Sequence, residues 1–151
     1  MDLELKGKNA LVTGSSKGIG YAIATLLHKE GCNVTINGRN SETLKKIITS
    51  FKERMHYCAA DVTSIDDCNT LIKETISHWG SIDILVCNVG SGTSVNPGDE
   101  NFEEWQKVFS NNFYSAVNVI EAAKNELSKT RGSIVCISSI AGMESTGAPV
   151  T

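Results

Sequence analysis

The residues whose types and spacing can do chemistry come early, in Thr13-Gly14-Ser15-Ser16-Lys17-Gly18-Ile19-Gly20. This stretch follows the apolar run Ala10-Leu11-Val12 and precedes a helical pattern. Strand, glycine-rich turn and helix, in that order, place backbone N–H groups and the positive end of a helix dipole around a phosphate. A glycine at the turn permits φ > 0, and glycines without Cβ let a pyrophosphate come close to the backbone. Gly14, Gly18 and Gly20 are spaced G-x-x-x-G-x-G rather than G-x-G-x-x-G. The chemistry these residues point to is the grip of a dinucleotide diphosphate.

The elements that must position this turn alternate in type. Strands are expected at Asn9–Thr13, Asn33–Asn37, His56–Ala60, Ile82–Cys87 and Ser133–Ser138. Between the first two, Ile19, Ala22, Ile23, Leu26 and Leu27 form one stripe of 3.6-residue period, ended by Gly31 in a left-handed cap. A second helix starts at Ser41 and carries Leu44, Ile47, Ile48 and Phe51. Ser64-Ile65-Asp66-Asp67 resembles a capping box and opens a third, closed by Trp79-Gly80. A long helix is expected from about Phe102 to Ser128, with Trp105, Val108, Phe109, Asn112, Ala116, Ile120, Ala123 and Leu127 near one stripe. The segment before it, Gly90–Asn101, reads as a loop. Regular β/α alternation predicts a parallel sheet with right-handed crossovers and helices on both faces. Ile82–Cys87 is almost continuously apolar, which suits a strand buried on both sides.

Composition narrows the function classes. The 151 residues are 40% hydrophobic and 21% charged, with a net charge of -3, which fits one soluble globular domain without an internal linker or repeat. An acidic balance argues against a nucleic-acid footprint, which needs a clustered basic face. No apolar run approaches the ~20 residues that span a bilayer, and Met1–Lys6 carries no apolar signal core, so neither a membrane nor a nucleic acid is expected as partner and the cytoplasm is the expected compartment. Cys32, Cys58, Cys68, Cys87 and Cys136 are odd in number and form no C-x-x-C pair, and His28, His56 and His78 are scattered. These cysteines read as reduced, small, buried hydrophobes, with no metal site expected.

Five signals in order then carry a resemblance. Thr13-Gly14 through Gly18-Ile19-Gly20 after the first strand, Asp61-Val62 after the third, Asn88-Val89-Gly90 after the fourth, Asn112 in the long helix and Ser138-Ser139-Ile140-Ala141-Gly142 after the fifth resemble the short-chain dehydrogenase/reductase family. The resemblance implies a single NAD(P)-binding domain of Rossmann type over residues 1–151, a doubly wound three-layer αβα fold with strands in the order 3-2-1-4-5. It implies that Gly14, Ser16, Gly18, Ile19 and Gly20 line the pyrophosphate and ribose. Asp61 accepts a hydrogen bond from the adenine amino group with Val62 beside the ring, and Asn88, Val89 and Gly90 pass under the adenosine ribose. Read alone, Asp61 equally suits a turn or helix start before Thr63 and Ser64. The end of the second strand, Asn37-Gly38-Arg39-Asn40, holds no carboxylate, and Lys17 stands beside Gly18. Two cations and no anion suit a 2′-phosphate, so NADP(H) is expected over NAD(H); the plainer reading makes Lys17 and Arg39 solvated surface charges.

The same resemblance implies hydride transfer between a nicotinamide and a carbonyl or alcohol carbon of a small molecule. Ser139 is expected to hydrogen-bond the substrate oxygen and Asn112 to serve a proton relay, with Asn111 one residue out of register. Taken locally, Ser139 also reads as a turn or capping serine. The family's Tyr-x-x-x-Lys general acid falls just past Thr151, so the sequence is expected to be the N-terminal part of a longer enzyme, inactive alone and a homodimer or homotetramer through the long helix when complete. The strand at the sheet edge and the apolar face of the long helix are expected to be left open. The rival reading is a dinucleotide-binding regulatory module without catalysis.

Overall fold

The structure is a computed structural model that describes residues 3–93, 95–96 and 98–144. Ser94 and Pro97 of the expected loop and the tail over residues 145–151 lie outside the described residues. The elements run β1 (Asn9–Val12), α1 (Gly18–Lys29), β2 (Asn33–Gly38), α2 (Ser41–Ile48), β3 (Met55–Ala59), α3 (Ile65–Trp79), β4 (Ile84–Cys87), α4 (Phe102–Phe109), α5 (Ser115–Thr130) and β5 (Ser133–Cys136). The five strands form one parallel sheet in the order β3-β2-β1-β4-β5. The order in which strands join the sheet reverses between β1 and β4, and the crevice above that reversal is where open α/β sheets bind ligands.

Alternation along each strand divides the core into two layers. Ala10, Val12, Val34, Ile36 and Val86 pack with Ala24 of α1 and Leu44 of α2 on one face. Leu11, Cys58, Leu85 and Cys87 pack with Leu71 of α3 and Val119, Ala123 and Leu127 of α5 on the other. Side chains of period 2 on a sheet covered on both sides require this division. The helix ends follow their predicted signals: Gly31 has φ +92, and Gly80 caps α3 at φ +88. Ser64 Oγ accepts the Asp67 N–H at 3.3 Å, but the reciprocal arm differs from a capping box, since Asp67 Oδ2 accepts the Asp61 N–H at 2.8 Å.

Two expectations need correcting. The single long helix is broken: between α4 and α5 the turn Ser110–Tyr114 widens to π geometry. The cysteines are buried at 32, 58, 68 and 87, but Cys136 is exposed. Its strand has β4 on one side and no neighbour on the other in the described sheet, and Ser133–Cys136 is exposed throughout.

Candidate functional site

The bend after β1 is tied down from below. Ser15 Oγ donates to the Val12 carbonyl at 2.6 Å, and Ser15 N–H donates to the Asn37 carbonyl at 2.8 Å. Asn37 sits at the end of β2, 1% exposed. Its Oδ1 accepts the Gly14 N–H at 3.3 Å, and its Nδ2 donates to the carbonyls of Cys58 and Ala60, both at 3.2 Å. One side chain thereby joins the bend to β2 and to the end of β3. From β4, Asn88 N–H donates to Thr13 Oγ1 at 3.0 Å, and Asn88 Nδ2 donates to the carbonyls of Thr13 and Gly14 at 3.2 and 3.1 Å. These bonds occupy the carbonyls of the bend and leave its upper side free. Lys17, the residue before α1, makes no side-chain cap, and the first turn of α1 holds no acid. The N–H groups of Gly18 and Ile19 therefore lack intrahelical acceptors at the positive end of a helix dipole.

The three glycines are needed for three different reasons. Gly18, at φ +58, would have nothing within 4 Å of an added Cβ, so its backbone angle alone demands glycine and its surface stays open. At Gly20 a Cβ would lie 2.4 Å from Asn88 Nδ2 and 2.6 Å from the Gly14 carbonyl. Gly14 combines both, with φ +59 and a Cβ 2.9 Å from Val89 Cγ2.

A cleft of about 1060 Å³ opens above this bend. Gly14, Ser16, Lys17, Gly18, Ile19, Arg39, Asp61, Val62, Asn88, Val89, Gly90 and Asn112 all line it. Of the residues singled out in the sequence, Gly20 and Ser139 do not. Gly20 is buried beneath the bend, and Ser139 Oγ accepts the Ala141 N–H at 3.2 Å as the cap of a short 3-10 turn. Asn88 lines the cleft while its amide points into the bend. Among the described residues neither Lys17 nor Arg39 takes part in an ion pair.

Asp61 forms the turn and also lines the cleft. Its Oδ1 accepts from Thr63 N–H at 3.0 Å and Thr63 Oγ1 at 2.7 Å, the turn-forming role. These bonds, with the Arg39 charge as a lesser cause, hold the carboxyl below its ordinary value of 3.8. The carboxylate stays ionised and still lines the cleft. Val62, 3% exposed, belongs mostly to the core. At the far end, Asn112 lies inside the π turn and reaches back across the cleft. Its Oδ1 accepts the Ser91 N–H at 2.7 Å and its Nδ2 donates to the Ser91 carbonyl at 3.0 Å. The Asn111 side chain donates from Nδ2 to Asn112 Oδ1 at 3.5 Å, and its carbonyl accepts from Ser115 Oγ at 2.7 Å. A Cβ on Gly90 would come 3.3 Å from Asn112 Oδ1, so Gly90 makes room for this reach. Single π turns inside helices recur at functional sites.

Two positioning residues escaped the sequence reading. Asn37 enters the sequence analysis only as the absence of a carboxylate, although a polar residue directly after the run Val34–Ile36, at the end of a buried strand, is a signal for a buried anchor. Asn118 of α5 donates through Nδ2 to the carbonyls of Val62 and Thr63 at 3.3 and 3.2 Å, holding the rim beside Asp61. Nothing in its helical surroundings announced that reach.

Comparison with known proteins decides what this arrangement belongs to. The pattern of the family described as short chain dehydrogenase matches residues 8–150. The chain belongs to that family. An uncharacterized oxidoreductase of Staphylococcus epidermidis is 34% identical over 144 residues, covering 95% of this chain and 63% of that protein. A 3-oxoacyl-[acyl-carrier-protein] reductase of Rickettsia prowazekii is 37% identical over 144 residues, covering 93% of this chain and 57% of that protein. Thus the chain spans about three fifths of the length of these short-chain dehydrogenase relatives. Among solved structures, a 7α-hydroxysteroid dehydrogenase complexed with NADH and 7-oxo glycochenodeoxycholic acid superposes at TM-score 0.88, with 28% identity over 95% of this chain and 57% of that one. A short-chain dehydrogenase/reductase of unknown function from Caenorhabditis elegans, with cofactor, gives TM-score 0.83 and 33% identity over 90% of this chain and 54% of that one.

Proposed function

We propose that the protein containing this chain is an oxidoreductase acting on a carbonyl or alcohol carbon of a small molecule, with NADP(H) favoured over NAD(H). When bound, the nicotinamide dinucleotide supplies or accepts the hydride. The donor set fits such a group: open helix-start amides beside an ammonium suit a diphosphate, and a carboxylate at the rim suits an amino group. In this reading Gly14, Ser16, Lys17, Gly18 and Ile19 hold the diphosphate, and Gly20 lets α1 approach closely enough to present its N-terminus. Lys17 and Arg39 pair with the 2′-phosphate. Asp61 accepts from the adenine amino group, Val62 flanks the ring, and Asn88, Val89 and Gly90 support the ribose.

For the reacting end, Ser139 donates from Oγ to the substrate oxygen and stabilises charge that develops there. Accepting the Ala141 N–H leaves the hydroxyl proton available for that bond. Asn112 holds the cleft wall through Ser91 and takes its place in a proton relay. The protein is further proposed to be cytoplasmic and to assemble as a homodimer or homotetramer through the long helix, where Phe102, Trp105 and Phe109 of α4 and Phe113 of the π turn are exposed. Among the described residues no helix is long and apolar enough to cross a membrane.

The observation that carries this reading is the uncapped start of α1, with Lys17 in place of a capping side chain. Titration calorimetry with NADPH and NADH tests it. NADPH is expected to bind about tenfold or more tightly, a difference of about 1.4 kcal/mol. Arg39→Ala is expected to erase the preference. Equal or tighter binding of NADH overturns the cofactor choice, and binding of neither dinucleotide overturns the site.

A further inference from the structure

The turn that carries Asp61 is held by bonds of two ranges. The short-range ones lie within the turn and the helix it opens. Asp61 Oδ1 accepts from Thr63 N–H and Thr63 Oγ1 at 3.0 and 2.7 Å, Ser64 N–H donates to the Asp61 carbonyl at 2.9 Å, and Asp67 Oδ2 accepts the Asp61 N–H at 2.8 Å. Together they give residues 61–67 a fixed internal shape but leave open where that unit sits over the cleft. The long-range bonds come from Asn118, 56 and 55 residues further along the chain. Its Nδ2 donates to the carbonyls of Val62 at 3.3 Å and Thr63 at 3.2 Å, one for each proton of the amide.

Helix α5 is a firm place from which to hold the turn. Val119, next to Asn118, is fully buried in the core layer beneath the sheet, with Ala123 and Leu127 on the same side. The π turn before α5 carries Asn112, whose amide grips Ser91 on another wall of the same cleft. On the Asp61 carboxylate, the bonds from Thr63 engage Oδ1, and Oδ2 accepts no hydrogen bond among the described residues. Asp61 lines the cleft, so Oδ2 is the oxygen left for an N–H of a ligand. A hydrogen bond weakens steeply with poor angle and length, and a recognition group must be held to within about 0.5 Å to serve.

We propose that Asn118 is a positioning residue for base selection: from α5 it fixes the Asp61 turn over the cleft, so that the carboxylate meets a purine amino group and rejects a purine that carries a carbonyl oxygen in its place. The inference rests on the proposed function, with Asp61 as the contact to adenine. The discrimination follows from donor and acceptor signs. An amino group donates to the carboxylate, whereas a carbonyl oxygen sets acceptor against acceptor and leaves the charge unpaired. Without Asn118 the turn keeps its internal bonds and loses its tie to the far wall, so the carboxylate is no longer held where that choice is made.

Titration calorimetry of the full chain with NADPH and with reduced nicotinamide hypoxanthine dinucleotide phosphate, which carries an oxygen where adenine carries its amino group, tests this. The parent is expected to prefer NADPH by about tenfold or more. Asn118→Ala is expected to reduce that preference to about twofold, by weakening NADPH and leaving the hypoxanthine compound nearly unchanged. Asn118→Asp keeps the size but sets acceptors against the carbonyls of Val62 and Thr63, and is expected to abolish the preference. In an Asp61→Ala background, Asn118→Ala is expected to change the preference no further, because it acts through Asp61. An unchanged preference in both Asn118 variants, equal weakening of both ligands, or additive effects in the double variant overturns the positioning role. A parent that binds the two ligands equally strikes the Asp61 reading, one that binds neither strikes the dinucleotide reading, and the inference falls with either.

Discussion

Helix α3 starts with Ser64, whose hydroxyl accepts the Asp67 N–H, and carries Asp66 and Asp67 in its first turn. Helix α1 starts with Lys17, which caps nothing, and carries no acid there. Both helices leave the same rim of one parallel sheet, after β3 and β1. Helices α2 and α4 follow the α3 pattern: Asn40 accepts from Thr43 N–H with Glu42 in the first turn, and Asn101 accepts from Glu104 N–H with Glu103 beside it. A side-chain oxygen at the N-cap contributes about 1 kcal/mol, and acids in the first turn add to it. Three helix starts take that stabilisation from the chain itself, and α5, which also has no side-chain cap or first-turn acid, continues directly from the π turn. Helix α1 leaves its first amides open at the cleft, and in the proposed function an anion takes the place of the missing cap.

The largest expected effect comes from the ground on which the open start is built. Gly20→Ala places a methyl group 2.4 Å from Asn88 Nδ2 and 2.6 Å from the Gly14 carbonyl. Neither neighbour is the end of a flexible side chain free to move, since Asn88 is held by Thr13 and Gly14. The substitution is expected to cost about 3 kcal/mol, seen as a fall of several degrees in thermal melting, together with loss of NADPH binding. A variant that melts like the parent would mean that α1 sits farther from the bend than these distances require.

Exchanging the two kinds of helix start tests the comparison directly. Lys17→Asp gives α1 the cap it lacks, and is expected to raise the stability of the ligand-free chain by about 0.5–1 kcal/mol while weakening NADPH binding at least about tenfold. Ser64→Ala removes the α3 cap, and is expected to lower stability by about 1 kcal/mol with NADPH affinity unchanged. Denaturant melts and titrations on the same samples separate the two quantities. If both variants shift stability alone, the α1 start is only a poorly capped helix.

What the sequence revealed depended on the range of the interaction. The bend at Gly14–Gly20, the cap at Ser64, the left-handed Gly31 and Gly80, and the β/α alternation are local patterns, and each was legible from neighbouring residues. Strand order followed from the family resemblance and agrees with the observed sheet. Asn37 and Asn118 act through partners more than twenty residues away, so their roles existed only once β2, β3 and α5 were assembled. The break at Ser110–Tyr114 contains no proline or glycine, and Phe102 through Leu127 keeps a helical stripe across it, which hid the π turn. Asn112 lies in the same turn, and its bonds to Ser91 were likewise not legible from neighbouring residues. The exposure of Cys136 could not be read from the apolar run around it, since burial of β5 depends on what lies beside the strand.

The smallest effect belongs to the opposite end of α3. There His56 of β3 stacks on His78, with ring centroids 3.9 Å apart, and Trp79 stands edge-on to both. Burial, and after it the His78 ring, hold His56 below its ordinary value of 6.5, against the opposing pull of Glu74. A histidine whose pKa falls on folding binds its proton more readily in the unfolded chain. Stability contributed by neutral His56 is therefore complete above pH 6.5 and declines as the pH falls from 6.5 through the lowered value. Melting temperature is expected to drop over that window by about a degree or two, and His56→Gln is expected to remove this dependence while leaving NADPH affinity untouched. A melting temperature that rises on acidification through the same window would show that the stacked pair gains from a positive charge, as a helix C-terminus favours.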